Sequence, residues 1–323
     1  MRCEEENWRP TASLASLRLR AELLKKLRAF FDIRGVMEVE TPALSRAAVT
    51  DRHLASFRVD GSPGGALYLH TSPEFPMKRL LAAGSGDIYQ VSKVFRAGEA
   101  GRLHNPEFTL VEWYRLGFDH HRLMREVAEL VQSLVPGLRR SPEYLSYREA
   151  FRQHAGFDPL IADRQTCIVA LRRHVKALPA EDALDYDGWL DLVAGEIVYP
   201  ALGNGRLTFV LDYPANQAAL ARIHPGDPPL AERFEMFLHG VELANGFHEL
   251  ADAKEQRQRF ERDLEFRKAT GLPAMPMDEH FLAALTQGLP ECAGVALGFD
   301  RLVMRAAGAH SIQEIIAFPF ERV

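Results

Sequence analysis

Residues 95–115 read FRAGEAGRLHNPEFTLVEWYR, and they place an arginine, Arg96, at the end of one extended segment and a phenylalanine, Phe108, at the start of the next. An arginine presents a planar fork of donors that matches phosphate oxygens. A phenylalanine ring presents a flat face on which a purine can stack. If the second segment is a strand, Phe108, Leu110, Glu112 and Tyr114 share one of its faces by the two-residue repeat. A second stretch, VELANGFHEL at 241–250, carries Glu242 and Glu249 seven residues apart. An uninterrupted strand would turn these carboxylates to opposite sides. A one-residue bulge at Asn245–Gly246 would bring them to one face, where they could hold Mg²⁺ and leave its other positions to water and phosphate. A third stretch, GVALGFDRLVMRAAG at 294–308, puts the small residues Gly294, Ala296 and Gly298 on one strand face. It then places Arg301 in the first turn of a helix, where anions are favoured. Asp300 is the expected N-cap and Gly308 the expected stop. In TSPEF, 71–75, Ser72–Pro73 forms a turn and Glu74 follows it.

Each stretch alone has a plain structural reading. The first is also an exposed hairpin with solvated charges, the second two surface glutamates flanking a turn, and the third a packed strand–helix corner with a surface arginine. Glu74 is also a helix N-terminal acid.

The elements that must position these groups are legible in outline. Leu23, Leu24, Leu27, Phe30 and Phe31 recur at helical spacing within 15–34, and Gly35 follows as a stop. Val36–Glu40 alternates as a strand, ended by Thr41–Pro42. Ile88–Arg96 and Glu107–Tyr114 read as two strands joined by the loop Ala97–Pro106. Residues of about 120–200 are mostly helical in pattern. Strands return at 207–213 and 233–250, with His239–Gly240 as a tight hairpin turn. Residues 252–270 form a charged helix. Hairpins separated by blocks of helix predict an α+β fold with a mainly antiparallel sheet flanked by helices, because a doubly wound sheet would need regular βαβ alternation. No GxGxxG or GxxxxGK[ST] occurs, so a nucleotide would have to be held without a Gly-rich phosphate loop.

Composition narrows the class. The 323 residues are 47% hydrophobic and 26% charged, as in ordinary globular proteins. No stretch of apolar residues is long enough to span a bilayer, and the N-terminus MRCEEENWRP has no secretory pattern, so the expectation is a cytoplasmic enzyme. The formal net charge is −5, with no basic run to support nucleic-acid binding. Cys3, Cys167 and Cys292 lie far apart and form neither a metal motif nor a disulfide framework.

Taken in order, these blocks resemble the three signature motifs of class II aminoacyl-tRNA synthetases. GVMEVETPAL, 35–44, resembles motif 1 with its proline at Pro42; residues 95–115 resemble motif 2; GVALGFDRLVM, 294–304, resembles motif 3. TSPE, LHNPEFT, ERFE and ELANGFHEL bring the chain near the lysyl branch of that class. That branch carries an N-terminal anticodon-binding domain of OB type, and the expectation here is a chain without it. The size and pattern are similar to a paralogue family, the ligases that attach (R)-β-lysine to a lysine of elongation factor P. The resemblance implies a single catalytic domain over 1–323 with a variable helical segment at about 120–200, and a homodimer formed through motif 1.

It also implies roles. Arg96 and Arg301 would be the catalytic arginines. Arg96, Ala97, Gly98, Glu99, His104, Asn105, Phe108, Glu242, Leu243, Gly298 and Arg301 would surround ATP. Glu242 and Glu249 would position Mg²⁺. Ser72, Pro73, Glu74, Tyr114, Glu249 and Ala296 would line the site for (R)-β-lysine or lysine. Elongation factor P would be the protein partner, with neither tRNA nor a membrane involved. The class signature has glutamate two residues after the motif 2 arginine; this chain has Gly98 there and Glu99 next. Either the loop shifts by one residue or the adenine is contacted differently. Ala296 stands where the lysyl branch usually has glycine, a change worth about 1 kcal/mol in selectivity. The alternatives to this reading are a minimal tRNA-charging enzyme, an amide-forming paralogue of the asparagine synthetase type, and a regulatory paralogue without catalysis.

Overall fold

The computed structural model describes residues 8–52, 54–61 and 63–323. By internal contacts the chain divides into two compact units. One comprises the segment ending at Gly117, Ala251–Cys292 and Ala296–Val323; the other comprises Phe118–Leu250 and Ala293–Val295.

The first unit begins with α1 (Leu14–Ile33), started by Ser13, whose side chain accepts the Ser16 N–H. Its heptad-like apolar stripe buries Leu23, Leu27, Phe30 and Phe31. Gly35, at φ +65°, breaks the helix where a left-handed residue is required. The strand expected at Val36–Glu40 shortens to β1 (Met37–Glu38). Three short strands follow, β2 (Leu44–Ser45), β3 (Arg58–Val59) and β4 (Leu67–Leu69), in a small antiparallel sheet of order β2-β4-β3. Then come α2 (Glu74–Ala82), β5 (Ile88–Phe95) and β6 (Glu107–Leu116). β1 runs parallel to β5, and β5 pairs antiparallel with β6 from Ile88↔Tyr114 to Phe95↔Glu107 without a register shift. Phe31 of α1 stacks on Tyr89 of β5 at 4.3 Å between ring centroids and meets Trp113 of β6 edge-on at 5.3 Å. Burying side chains of this size stabilises by about 1.5–3 kcal/mol each, so the helix anchors both site-bearing strands.

The second unit contains α3 (His120–Leu134), β7 (Glu143–Ser146), α4 (Tyr147–His154), α5 (Arg164–Leu171), α6 (Tyr186–Val193), a π-helical turn at Ala194–Val198 and α7 (Tyr199–Ala201). Four strands complete it: β8 (Thr208–Pro214), β9 (Ile223–His224), β10 (Leu230–Leu238) and β11 (Val241–His248). Their order is β11-β10-β8-β7, antiparallel except for β7 on β8, with β9 on β10. The mostly helical reading of 120–200 holds apart from β7, whose four residues are too few to show a period. His239 and Gly240 have φ of +50° and +68°, as the tight β10–β11 turn requires. The core gathers Tyr147, Phe151, Trp189, Tyr213 and Phe237.

The chain returns to the first unit with α8 (Ala253–Ala269), capped by Asp252, α9 (Glu279–Gly288), β12 (Cys292–Gly298) and α10 (Phe299–Ala307). β12 gives Ala293–Val295 to the second unit and its ends to the first. Gly308 closes α10 in the left-handed region at φ +66°, as expected. The expected N-cap does not hold. Gly298 occupies that position, and Asp300 lies inside the first turn. Its carboxylate is committed elsewhere, accepting the Thr109 N–H at 2.7 Å and pairing with Arg20 of α1. That network ties α10 to β6 and α1.

Candidate active site

In the first unit, Arg96 follows the last residue of β5, and its N–H donates to the Pro106 carbonyl at 2.9 Å. Its guanidinium lies 5.0 Å over the Phe108 ring, and Phe108 is half-buried, with one ring face shared by a cation. The Ala97 N–H is held by the Ala55 carbonyl. Gly98 adopts φ +82°, a conformation a glutamate would strain to reach. The chain turns there, and Glu99 comes to 3.9 Å from Arg96. Glycine at 98 thus goes with a tightened loop in which the next residue supplies the acid beside the arginine. Gly101 and His104 bridge the loop tip.

Arg301, in the first turn of α10, meets His104 Nε2 through Nη2 at 2.7 Å and the Leu103 carbonyl at 3.4 Å. Arg102 donates to the His310 carbonyl. Arg305 has its pKa lowered, first by burial and then by the charges of Arg102 and Arg301. Three arginines held close enough to repel one another make a local surplus of positive charge, the setting a polyphosphate neutralises. Asn105 is buried with both ends of its amide engaged: Nδ2 donates to the Glu107 carbonyl at 2.6 Å and Oδ1 accepts the Phe320 N–H at 2.9 Å. Ala296 and Gly298 are half-buried on one face of β12, while Val295 and Leu297 face the core.

A second cluster in the same unit is built on the opposite chemistry. Glu112 of β6 is 2% exposed. Ser72 Oγ donates to it at 2.7 Å and the Tyr114 hydroxyl at 2.6 Å. Glu74 starts α2; its N–H donates to Ser72 Oγ, and its carboxylate accepts from the fully buried Lys78 Nζ at 2.6 Å. Pro73 precedes it as the N-cap residue. Glu112 has its pKa pushed up to about 7, first by burial and then by the Glu74 charge, against the two hydroxyl hydrogen bonds and Lys78. The lysine pairs with Glu74, and the hydrogen bonds to Glu112 come from the neutral hydroxyls of Ser72 and Tyr114. Ionised, it is one negative charge in excess, and a bound ammonium would relieve it. Glu112 and Lys78 were not among the sequence-derived site residues. The shared face of Phe108, Glu112 and Tyr114 was the only signal for the first, and nothing local pointed to the second.

In the second unit, Glu242, Leu243 and Glu249 lie on or just past β11. The expected bulge exists but sits elsewhere. Met236 pairs with Ala244 and Phe237 with Glu242, so Leu243 is the extra residue. Asn245 and Gly246 stay in regular register, because Gly246 is pressed under Phe234: a Cβ there would fall 2.4 Å from that ring. The displaced bulge has the same consequence for parity, since Glu242, Asn245 and Phe247 are half-buried while Gly246 and His248 are buried. Glu249 continues that alternation to the face of Glu242. On the same strands Arg233 pairs with Glu235. Burial raises the Glu235 pKa, with Glu242 adding to it and Arg233 opposing. Asn245 Oδ1 is buried with no hydrogen-bond partner among the described residues. Oxygen donors gathered in excess of positive charge fit a hard cation such as Mg²⁺.

Residues 7–322 match the family model described as tRNA synthetases class II (D, K and N). The chain is 49% identical over 324 residues to the elongation factor P–(R)-β-lysine ligase of Hamiltonella defensa, covering 99% of each chain. It is 50% identical to the protein of that name from Proteus mirabilis, over 99% of each, and 50% identical to that from Vibrio cholerae, over 98% of each. An α+β fold with a mainly antiparallel sheet, a motif-ordered set of arginines and acids, and similarity along nearly the whole length lead to one conclusion: the chain belongs to the class II tRNA synthetase family of the D, K and N branch.

Proposed function

We propose that this chain is an ATP-dependent ligase that activates (R)-β-lysine as an aminoacyl-adenylate and transfers it to a lysine ε-amine of elongation factor P. The observation that carries the reading is the Glu112 cluster. A buried carboxylate with pKa near 7, held by Ser72 and Tyr114 beside the Lys78-paired Glu74, suits a cationic amino acid and disfavours an acidic one. That argues against the asparagine synthetase type. The names of the relatives supply the β-lysine and the protein acceptor.

In this reading Arg96 binds the α-phosphate, and Phe108 stacks the adenine with Arg301 on its other side. Arg301, with His104 behind it, binds the distal phosphates, and Ala97, Gly98, Glu99, Asn105, Leu243 and Gly298 shape the nucleotide site. Glu242 and Glu249 would hold Mg²⁺, which offsets charge on the phosphate oxygens when bound. The substrate carboxylate attacks the α-phosphorus in line and pyrophosphate leaves, with the arginines stabilising charge mainly by prior positioning. The protein amine then attacks the carbonyl of the mixed anhydride and AMP leaves. This amine must be neutral to react, against a reference pKa of about 10.4. Ser72, Pro73, Glu74, Tyr114, Glu249 and Ala296 would line the amino-acid site.

A homodimer through the motif 1 region is part of the proposal, supported by the exposed apolar side chains Ile33, Met37 and Leu44. Among the described residues no helix is long and apolar enough to cross a membrane, and a cytoplasmic location is proposed with the function. The test is ATP–pyrophosphate exchange with α-lysine and (R)-β-lysine, followed by mass analysis of elongation factor P incubated with enzyme and ATP. Exchange with β-lysine and a lysyl-sized mass increase on the factor are expected. Stable charging of purified tRNA, with no modification of the factor, would overturn it.

A further inference from the structure

Three side chains of the second unit that the ligase chemistry does not use converge on one point. His120 is the first residue of α3, Glu232 lies on β10 and His248 ends β11. One potential ligand atom from each lies within 4.8 Å of the others. The strand geometry explains the approach. Arg233 pairs with Phe247, so the next cross-strand positions, Glu232 and His248, stand opposite each other, and their side chains are in contact. β10 bulges against β8 at the same place: Ala231 pairs with Tyr213 and Phe234 with Leu211, leaving Glu232 and Arg233 across from Asp212. Asp212 absorbs the bulge at φ +58°. The His120 ring faces the His248 ring at 6.4 Å between centroids, inclined by 29°.

A simple histidine–glutamate hydrogen bond accounts for His248 and Glu232 and leaves His120 unexplained. His120 is 6% exposed, and both its ring nitrogens are buried with no hydrogen-bond partner among the described residues. Leaving such groups unsatisfied is costly, and native proteins rarely tolerate it without a ligand or water. Burial, with the nearby His121 and His248, also lowers the His120 pKa to about 4. An imidazole with neither nitrogen engaged within the fold can offer a lone pair to a metal.

We infer that His120, Glu232 and His248 form a binding site for a divalent transition-metal ion, with zinc the ion the donor set fits first. Two imidazoles and a carboxylate match zinc, and three protein ligands leave one position to water. Bonds of about 2.0–2.1 Å in a tetrahedral site set donors roughly 3.4 Å apart, within reach of side-chain rotation from the present spacing. His248 and Glu249 are consecutive, so they address opposite faces of their strand. The imidazole-bearing site therefore differs in place and chemistry from the all-oxygen site proposed at Glu242 and Glu249. It does not depend on the ligase reading.

The test is metal analysis of the full chain, by competition for Zn²⁺ with a chromophoric chelator and by the visible spectrum after loading with Co²⁺. One equivalent of Zn²⁺ bound tightly and four-coordinate Co²⁺ bands are expected. His120→Ala should lower zinc affinity at least tenfold, and Glu232→Gln should do the same. His121→Ala, which removes the exposed neighbour, should bind zinc as the unaltered chain does. Thermal melts with and without Zn²⁺ should show a rise in Tm for the unaltered chain and none for His120→Ala. If His120→Ala does not fold, the Co²⁺ spectrum of the unaltered chain decides: absence of four-coordinate bands overturns the site. So does zinc binding that survives His120→Ala or vanishes with His121→Ala.

Discussion

Glu112 and Glu235 are both buried strand glutamates with raised pKa values, yet they are compensated in different ways. Glu235 has Arg233 in direct contact, a half-buried cation of its own. Glu112 has two hydroxyls, while the nearest cation, Lys78, is engaged by Glu74. A carboxylate compensated from within the fold serves the fold. One held by neutral donors and left short of positive charge is prepared for a cation that arrives with the substrate. Under the proposed function, the contrast points to Glu112, and not the more strongly paired acid, as the group that would meet the substrate's charge.

The largest effect expected from this contrast is on stability. Glu235→Gln leaves the half-buried Arg233 without its carboxylate partner and should cost about 3 kcal/mol in urea denaturation. A loss below about 1 kcal/mol would erase the distinction. Arg96→Ala should lower pyrophosphate exchange about 100- to 1,000-fold with an unchanged melting profile, as for removal of a preorganised charge donor. Full activity would remove the arginine from the chemistry. Glu112→Gln should raise KM for the amino acid about 10- to 100-fold, on the scale of a lost charge-assisted contact, with little change in KM for ATP. An equal rise in both would make Glu112 structural, like Glu235.

The pH dependence sharpens the same point. Glu112 titrates near 7 in the folded chain against an ordinary value of 4.5. Between these values the folded state keeps a proton that the unfolded state has lost. This group's contribution to stability therefore falls as pH rises from about 4.5 to 7, and Glu112→Gln should remove that slope. Affinity for a cationic substrate moves the other way, weakening as the carboxyl protonates below about pH 7. A pH-independent amino-acid KM from pH 6 to 8 would contradict the assignment. The smallest effect belongs to Ala296→Gly, which removes one methyl from the β12 face and should shift the β- to α-lysine preference several-fold, about 1 kcal/mol.

Much of the scaffold was legible because it is locally written. The helix of α1, the β5–β6 hairpin, the His239–Gly240 turn and the stop at Gly308 each follow from a period or a backbone requirement within a few residues. β7 was not, because a four-residue strand has no period to read. Asp300 looked like a cap because its local position allowed it; Arg20 and Thr109, distant in sequence, decided otherwise. The bulge before Glu249 was needed by the parity of two acids, but its place was set by Phe234 lying over Gly246.

By itself, then, the sequence determined the elements, the order of the motif-like blocks, and the arginines and acids from which phosphate and magnesium sites could be built. These depend on residue type and short spacing. Tertiary structure decided which charges are compensated. It buried Glu112 between two hydroxyls, gave Lys78 to Glu74, and brought His120 beside Glu232 and His248 across more than a hundred residues of chain. Burial and long-range pairing set a group's electrostatic state, and neither has a signature in local sequence.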